Sequence, residues 1–548
     1  MSLKPSIIDP IPEETVRIAR AAFPKGNLYL SMRDEFGTLF KDADFTALYP
    51  KRGQPAFSPW RLALITIMQF LENLSDRQAA EAVRSRIDWK YALSLELTDS
   101  GFDYSVLSGF RARLLASDEQ SLMFDRLPEK LRQRKLLKER GKQRTDSTHV
   151  LSSIRVMNRL ETVVETMRAV LNELAILAPD WLRSVALPEW QMRYTIRAEQ
   201  SRLPLREKER AAYGEKVGRD GVHLLKLIES EQPQLLDLEI VGTLRKVWKV
   251  HYMFDEDDEP HWRAASQLPK AAEVTESPYD PEAKHSNKRG RVWVGYKVHL
   301  TETCDEQLPR LITNVHTTVA TEQDVGSTTL IEAALNEKNL LPSRHLVDAG
   351  YISAETVLAS REKYDIELLG PTRVNPSWQT RDGGYDAARF KIDWDLKTVV
   401  CPEGKLSSYW HEYEIKTPVL RPVVTVKFKS ENCRNCPSRA KCVQSKSGRP
   451  RQLLLPAREL HQALERTRRS ISHEDGKVEY KRRAGIEGTI SQAVRRGGLR
   501  RSRYRGLEKT HLQEIAVATG MNILRSINFL NDQPIAKTRV SRFARLMN

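Results

Sequence analysis

Residues 292–303, VWVGYKVHLTET, and 310–320, RLITNVHTTVA, are two consecutive runs rich in β-branched and aromatic side chains. Each predicts a strand. Downstream, 325–338 has the apolar spacing of a helix, and 345–348 (HLVD) is a short strand. A second helix over 354–363 and a strand over 366–370 complete the series. A β-β-α-β-α-β order predicts an α/β fold, a mixed sheet with helices packed on it.

Working upstream, residues 144–154 (RTDSTHVLSSI) read as a further strand. A helix follows, because Leu160, Val163, Val164, Met167, Val170, Leu171, Leu174 and Leu177 recur at helical period. Charged, glycine-poor helical sequence continues to about residue 249, and the Pro-rich polar stretch 277–291 (SPYDPEAKHSNKRGR) reads as a linker or ordered loop. Residues 57–115 read as short helices. Ser58-Pro59 is a start signal before an apolar run over 62–71, and Ser75-Asp76-Arg77-Gln78 has capping-box spacing. Asp103 would cap a third helix carrying Phe110, Arg111 and Arg113. Three short helices with a basic last one suit a helix-turn-helix DNA reader, and equally any small helical bundle. Downstream, 375–455 is strand-rich and irregular. Helical sequence resumes near residue 458, Asp475-Gly476 is the expected break, and one more helix is expected over 477–496.

At 548 residues, the chain is long enough for roughly three or four compact units. Its 40% hydrophobic and 29% charged content is that of a soluble globular protein, which argues against extensive disorder. Lys+Arg exceed Asp+Glu by 88 to 72, a net +16, which points to a polyanionic partner or to an ordinary basic enzyme. The apolar run 62–71 falls far short of the ~20 residues of a membrane helix, and no signal segment opens the chain. Five cysteines make no disulfide framework, so the expected location is cytoplasmic, away from membranes.

Asp146 lies within the strand RTDSTHV, and Asp348 closes HLVD just before Ala349-Gly350. A carboxylate at the carboxyl end of a strand points into the crevice where α/β sheets bind ligands. Alone, each aspartate reads more readily as a loop or cap residue. Glu487 would share a helix face with Tyr480, Ala484, Ser491 and Val494, a face otherwise fit for packing. An exposed or salt-bridged glutamate, with Arg483 four residues earlier as partner, explains that spacing as well.

Together these segments resemble the bacterial insertion-sequence transposases of the DDE class, whose catalytic domain has the ribonuclease H-like fold. The matching pieces are Asp146 in RTDSTHV, WVGYKVHLTETCD (293–305), NVHTTVATEQDV (314–325), HLVDAGY (345–351) and the stretch 480–507. That last stretch is similar to the group's Tyr-x2-Arg-x3-Glu-x6-Lys signature through Tyr480, Arg483 and Glu487. Val494 stands where the lysine would be, followed by Arg495 and Arg496. The similarity spans about residues 56–530.

The resemblance implies a ribonuclease H-like mixed sheet with flanking helices, preceded by an all-α region and carrying a helical insertion and a β-rich insertion. It implies an N-terminal helical, DNA-binding region over 1–135 and a first catalytic part over 136–375 with the helical insertion at about 155–275. A Cys-containing insertion over 376–455, a second catalytic part over 456–530 and a basic tail over 531–548 would follow. Asp146, Asp348 and Glu487 would be catalytic and hold two Mg²⁺ (or Mn²⁺) ions, hard cations that prefer oxygen ligands. Two such ions activate the attacking oxygen and stabilise the leaving oxygen of a phosphodiester. Asp146 and Asp348 would share the metals and Glu487 complete one site, with Tyr480 and Arg483 contacting phosphate or orienting Glu487. The implied partner is double-stranded DNA, both the element's terminal inverted repeats and the target, bound by a homodimer near the nucleoid. His149 reads as structural.

Two further groups stand out. Between Lys481 and Thr510 there are ten Lys/Arg and two Glu, a net +8 in 30 residues. Arg483, Arg495, Arg496, Arg500, Arg501, Arg503 and Arg505 are candidate DNA contacts, with glycines at 497, 498 and 506 allowing close approach to phosphate. Tyr504 could stack on an unpaired base or simply pack on the core. Cys401, Cys433, Cys436 and Cys442 form C-x31-C-x2-C-x5-C, which suits structural Zn²⁺ or leaves free buried thiols. Cys304 reads as a small core residue. A metal-dependent nuclease without strand transfer, and a transposase-derived DNA-binding protein without catalysis, stay open as alternatives.

Overall fold

The computed structural model describes residues 2–288, 290–372, 377–381, 383–416, 420–445, 448–534 and 542–547. The boundary expected at 375/376 and much of the basic tail lie outside them. Six strands carry the argument: β1 (Arg140–Leu151), β2 (Lys284–Lys288), β3 (Arg291–Thr303), β4 (Ile312–Val319), β5 (Pro342–Leu346) and β6 (Glu367–Leu369). The architecture is mixed α/β, and the β-β-α-β-α-β series is present as β3, β4, Asp324–Glu337, β5, Ala354–Tyr364 and β6. The chain divides into two compact units: residues 1–138, 146–322 and 486–548 form the first, and 139–145 with 323–485 the second.

In the first unit β2, β3 and β4 form an antiparallel series, with Lys284 opposite Gly295 and His299 opposite His316. The loop or linker expected at 277–291 is therefore partly an edge strand. Its segment is pinned by buried Asp280, which accepts hydrogen bonds from the Tyr296 hydroxyl at 2.5 Å and from Gly506 N at 3.2 Å. The end of β1 runs close beside β3, where Ser152 N donates to Val294 O at 3.0 Å. Gly295 makes that approach possible: its φ is +150°, and a Cβ there would come within 2.6 Å of Ser152 N.

The N-terminal helices share one hydrophobic core with these strands and the C-terminal helix Leu507–Leu530. Helix Pro59–Leu71 starts at the expected Ser58-Pro59 and is buried on almost every side, leaving only Arg61 partly exposed. Gly520 faces it so closely that a Cβ would stand 3.0 Å from Leu71 Cβ. The capping box at Ser75 and Gln78 forms as the sequence predicts. Arg111, expected on a basic reading helix, is instead buried against Asp76 at 2.6 Å. A separate core holds the helical insertion: Leu160, Val163, Val164, Met167, Val170 and Leu174 pack on Val217, Leu224, Ile228, Val247 and Trp248.

In the second unit β1, β5 and β6 are parallel, with Arg144 opposite Leu346 and Leu346 opposite Leu369. Parallel strands need long crossovers, supplied for β5 to β6 by the helix Ala354–Tyr364. A β-rich module follows, with Tyr409–Lys416, Leu420–Lys427 and Gln452–Pro456 in antiparallel order around Phe390, Val399, Val424, Val426, Phe428, Leu453 and Leu455. The single helix expected over 477–496 is broken. Glu474–Lys481 is one helix, 482–485 a tight 3₁₀ turn, and Ile486–Gly497 the next. Asp475-Gly476 therefore opens a helix, the break falling just before it at His473.

Candidate active-site carboxylates and basic surface

Asp146 is half-buried in β1, its Oδ1 accepting Ser147 N at 2.8 Å. Its predecessor Thr145 is buried and hydrogen-bonded to His345 Nε2 at 2.7 Å, so the strand is tied down just before the aspartate. Asp348 stands two residues beyond β5, half-buried, its Oδ1 accepting Gly350 N at 2.7 Å. Val347 N donates to Leu369 O at 3.0 Å, which fixes the backbone that presents it. Within the parallel pairing Arg144 lies opposite Leu346; Asp146 follows two residues after Arg144, and Asp348 two residues after Leu346, past the end of β5.

A second carboxylate stands beside Asp348. A Cβ on Gly350 would lie 2.9 Å from Asp348 Oδ1 and 3.4 Å from Asp324 Oδ2. A side chain at this position would press on the Asp348 carboxylate. Asp324 begins the helix Asp324–Glu337, and its sequence signal was an acid at a helix start, which electrostatics with the helix dipole explains fully. Sequence reasoning therefore passed over it.

Glu487 lies in the first turn of Ile486–Gly497 and is exposed, with no ion pair or hydrogen bond among the described residues. The buried side of that helix consists of Ile486, Thr489, Ile490, Ala493 and Gly497, so Glu487 points away from the core. Upstream, Tyr480 and Arg483 are half-buried in the second unit. Half-buried Glu479 beside them bridges Lys142 at 2.5 Å and Arg344, which also pairs with Glu367 at 2.6 Å. Burial pushes the Glu479 carboxyl up, but the hydrogen bond from Lys142 and the two cations outweigh it and hold the pKa below the ordinary glutamate value.

The basic stretch separates into two groups. Arg495, Arg496, Arg501 and Arg505 are exposed, Arg505 lying 5.0 Å over the Tyr279 ring. Arg500 and Arg503 are engaged by the fold. Arg500 Nε donates to Thr148 Oγ1 at 2.8 Å, and Arg503 donates to Leu74 O while stacking 4.8 Å over Phe70. Tyr504 packs 6.3 Å from Phe70 with Arg111 5.6 Å above its ring, and burial raises its pKa. Of its two readings, the packing one describes this arrangement. His149 lies 5.6 Å from the Trp293 ring, its pKa lowered by burial and then by Arg500, Arg291 and Lys288, which suits a structural imidazole.

Cys304 is buried. Cys401, Cys433, Cys436 and Cys442 are free thiols, three of them packed beside the core of the β-rich module. Lys405 N donates to Cys401 Sγ at 3.3 Å. Burial pushes the Cys442 thiol up to about 11, against a lowering by Arg451, and the other three cysteines raise it further. The four sulfurs are thus electrostatic neighbours. Among the described residues, no group of three or more His, Cys, Asp or Glu is already spaced to hold a metal ion.

Comparison with known families bears on two stretches of the chain. Residues 400–527 match the family model described as a transposase DDE domain, and residues 18–113 match a second transposase domain, DUF772. Both matches support an insertion-sequence DDE transposase. The DDE match takes in the cysteine module, Glu487 and the basic stretch, while the second match covers the N-terminal helices. No curated protein matches the chain. No described helix is long and apolar enough to cross a membrane.

Proposed function

We propose that the transposase cuts DNA at the ends of its parent element and joins those ends to target DNA, through divalent cations held by Asp146, Asp348 and Glu487. The observation that carries this reading is the strand register. Asp146 and Asp348 follow at equal distances after paired residues of two parallel strands, where α/β folds gather ligand-binding groups. Glu487, exposed and without an ion pair among the described residues, is a carboxylate still available to a cation. The ribonuclease H-like arrangement, the residue roles and the dimer on DNA are parts of the same proposal.

Three carboxylates of this exposure fit Mg²⁺ or Mn²⁺, hard ions that take oxygen ligands and retain water. The cations would supply charge neutralisation at the attacking and leaving oxygens. In the first displacement a water oxygen bonds to phosphorus, the bond from phosphorus to the 3′ oxygen breaks, and that oxygen takes up a proton. In the second, the freed 3′-hydroxyl attacks a target phosphate, whose own 3′ oxygen leaves. Exposed Arg495, Arg496, Arg501 and Arg505 would neutralise DNA phosphates near Glu487, and Arg483 and Tyr480 would approach the same backbone. Arg500, Arg503 and Tyr504 would shape the loop that presents them.

The decisive experiment incubates the protein with Mg²⁺ and DNA carrying the element's ends. Joined products are expected. Cuts without joining would make it a nuclease, and a mobility shift without cutting a binding protein. Asp348→Asn should lower cleavage at least about a hundredfold, since metal-assisted charge stabilisation contributes several kcal/mol. Unchanged cleavage by that variant would overturn the carboxylate assignment.

Zinc at Cys401, Cys433, Cys436 and Cys442 is a second part of the proposal. Four soft ligands suit Zn²⁺ in chemistry, and the metal would have to draw the thiols together.

A further inference from the structure

Glu487 stands at the start of a helix whose other side is gripped by a buried polar cluster. Glu302 of β3 is fully buried and accepts a hydrogen bond from the Thr489 hydroxyl. Arg525 of the C-terminal helix reaches the same place. Its Nη1 donates to Glu302 Oε2 at 3.0 Å and to Arg310 O at 2.8 Å. Its Nη2 donates to Thr489 Oγ1 at 2.9 Å and Gln492 Oε1 at 3.0 Å, and its Nε to Gln492 Oε1 at 3.1 Å. The helix bearing Arg525 is itself fixed to β4, because Asn522 accepts from Ile312 N and donates to Ile312 O, both at 2.7 Å.

We propose that Glu302 and Arg525 are positioning residues that set the rotation of the Glu487 helix and thereby where its carboxylate stands. Apolar contacts at Ile486, Ile490 and Ala493 resist separation of this helix from the core but tolerate small rotations, since they are non-directional. A planar guanidinium with a fixed fork of donors does not, and neither does a buried carboxylate needing defined partners. Thr489 is two residues beyond Glu487, so the two side chains leave nearly opposite sides of the helix. Locking Thr489 and Gln492 against Glu302 and Arg525 therefore fixes Glu487 on the exposed side. All the groups belong to the first unit. A buried ion pair is weak evidence for net stability and better explained by specificity, here one helix rotation over its neighbours.

The inference rests on Glu487 being a metal ligand, and the test separates the two claims. The full chain is assayed for cleavage of duplex DNA carrying the element's end while Mn²⁺ is titrated, alongside metal-free DNA binding and thermal melting. Thr489→Val keeps the shape and removes the hydroxyl, and Arg525→Lys keeps the charge and removes the fork. Each should raise the half-saturating Mn²⁺ concentration about tenfold or more, with metal-free DNA affinity unchanged, as loss of groups that orient a metal ligand does. High Mn²⁺ should restore much of the rate, which a misfolded enzyme would not show. An unmoved half-saturating concentration, with activity falling only in step with the folded fraction, would overturn the positioning role. Should Glu487→Gln retain full cleavage, the metal-ligand reading fails and this inference falls with it. Loss of cleavage in Glu487→Gln beside normal Mn²⁺ dependence in both other variants would refute the clamp alone.

Discussion

Glu514, on the C-terminal helix Leu507–Leu530, is fully buried and neither carboxyl oxygen has a hydrogen-bond partner among the described residues. Burial alone drives its pKa well above the ordinary value. A folded-state pKa above the unfolded one means that folding takes up a proton. Stability is therefore greatest below the ordinary glutamate pKa and declines as pH rises from there toward the folded value. Glu514→Gln, which keeps the shape and removes the charge, should leave melting near pH 4 almost unchanged and raise it at pH 7 to 8. Each kcal/mol recovered would move the midpoint by roughly 1–2 °C in a unit of this size. An equal shift at both pH values would refute the titration account. Arginines offer a second contrast. Arg496→Ala should weaken DNA binding and reduce the slope of log affinity against log salt by about one, leaving melting unchanged. Arg503→Ala should instead lower the melting temperature, because Arg503 holds Leu74 O and covers Phe70. Nothing in their adjacent sequence distinguishes these arginines; their exposure does.

At the scale of elements, β3 depends on a glycine. Gly295→Ala would place a methyl group against the backbone of 150–152 and strain a φ of +150°. Overpacking of this kind costs about 1–3 kcal/mol. Chemical denaturation should show a loss in that range, and a neutral result would mean that the strands move apart without penalty. The β-rich module poses the complementary question. Seven buried apolar residues are a small core, and small cores commonly require a covalent or metal staple. If its thiols take zinc, metal analysis of the purified protein should return about one zinc per chain, and a chelator should lower the melting temperature. Metal-free protein with normal melting would leave four unligated thiols. The helix break before Glu487 belongs to this scale too. Helical periodicity runs through the stretch from Tyr480 to Val494, yet the 3₁₀ turn at 482–485 interrupts it. A Cβ on Gly485 would lie 2.7 Å from the buried Arg144 guanidinium carbon, a tertiary contact no local periodicity encodes.

At the scale of the whole molecule, the N-terminal helices and the C-terminal helix form one core in the first unit. Removing residues 1–135 would take away Ile67 and Phe70 and so expose Ala516, Ala518 and Met521, which share a core with them. The shortened chain should aggregate or bind a hydrophobic dye, whereas an independent N-terminal module would leave a soluble, cooperatively melting remainder. This sharing also qualifies the DNA-reading role of residues 57–115, since the helix Pro59–Leu71 and Arg111 are committed to packing and to Asp76.

Periodicity and ordered motifs are local properties of a chain, and they carried the mixed α/β class, the order of strands and helices from 292 to 370, and the resemblance to insertion-sequence transposases. The sequence by itself also singled out Asp146, Asp348 and Glu487 as candidates through the motifs around them. Only the tertiary structure decided which side of its helix Glu487 occupies, which arginines are exposed, that Tyr504 packs and that Asp324 stands by Asp348. It alone disclosed the Glu302 and Arg525 cluster. Burial and pairing depend on residues brought together from distant segments, as Glu302, Thr489 and Arg525 are. Pattern along the chain carries no term for that.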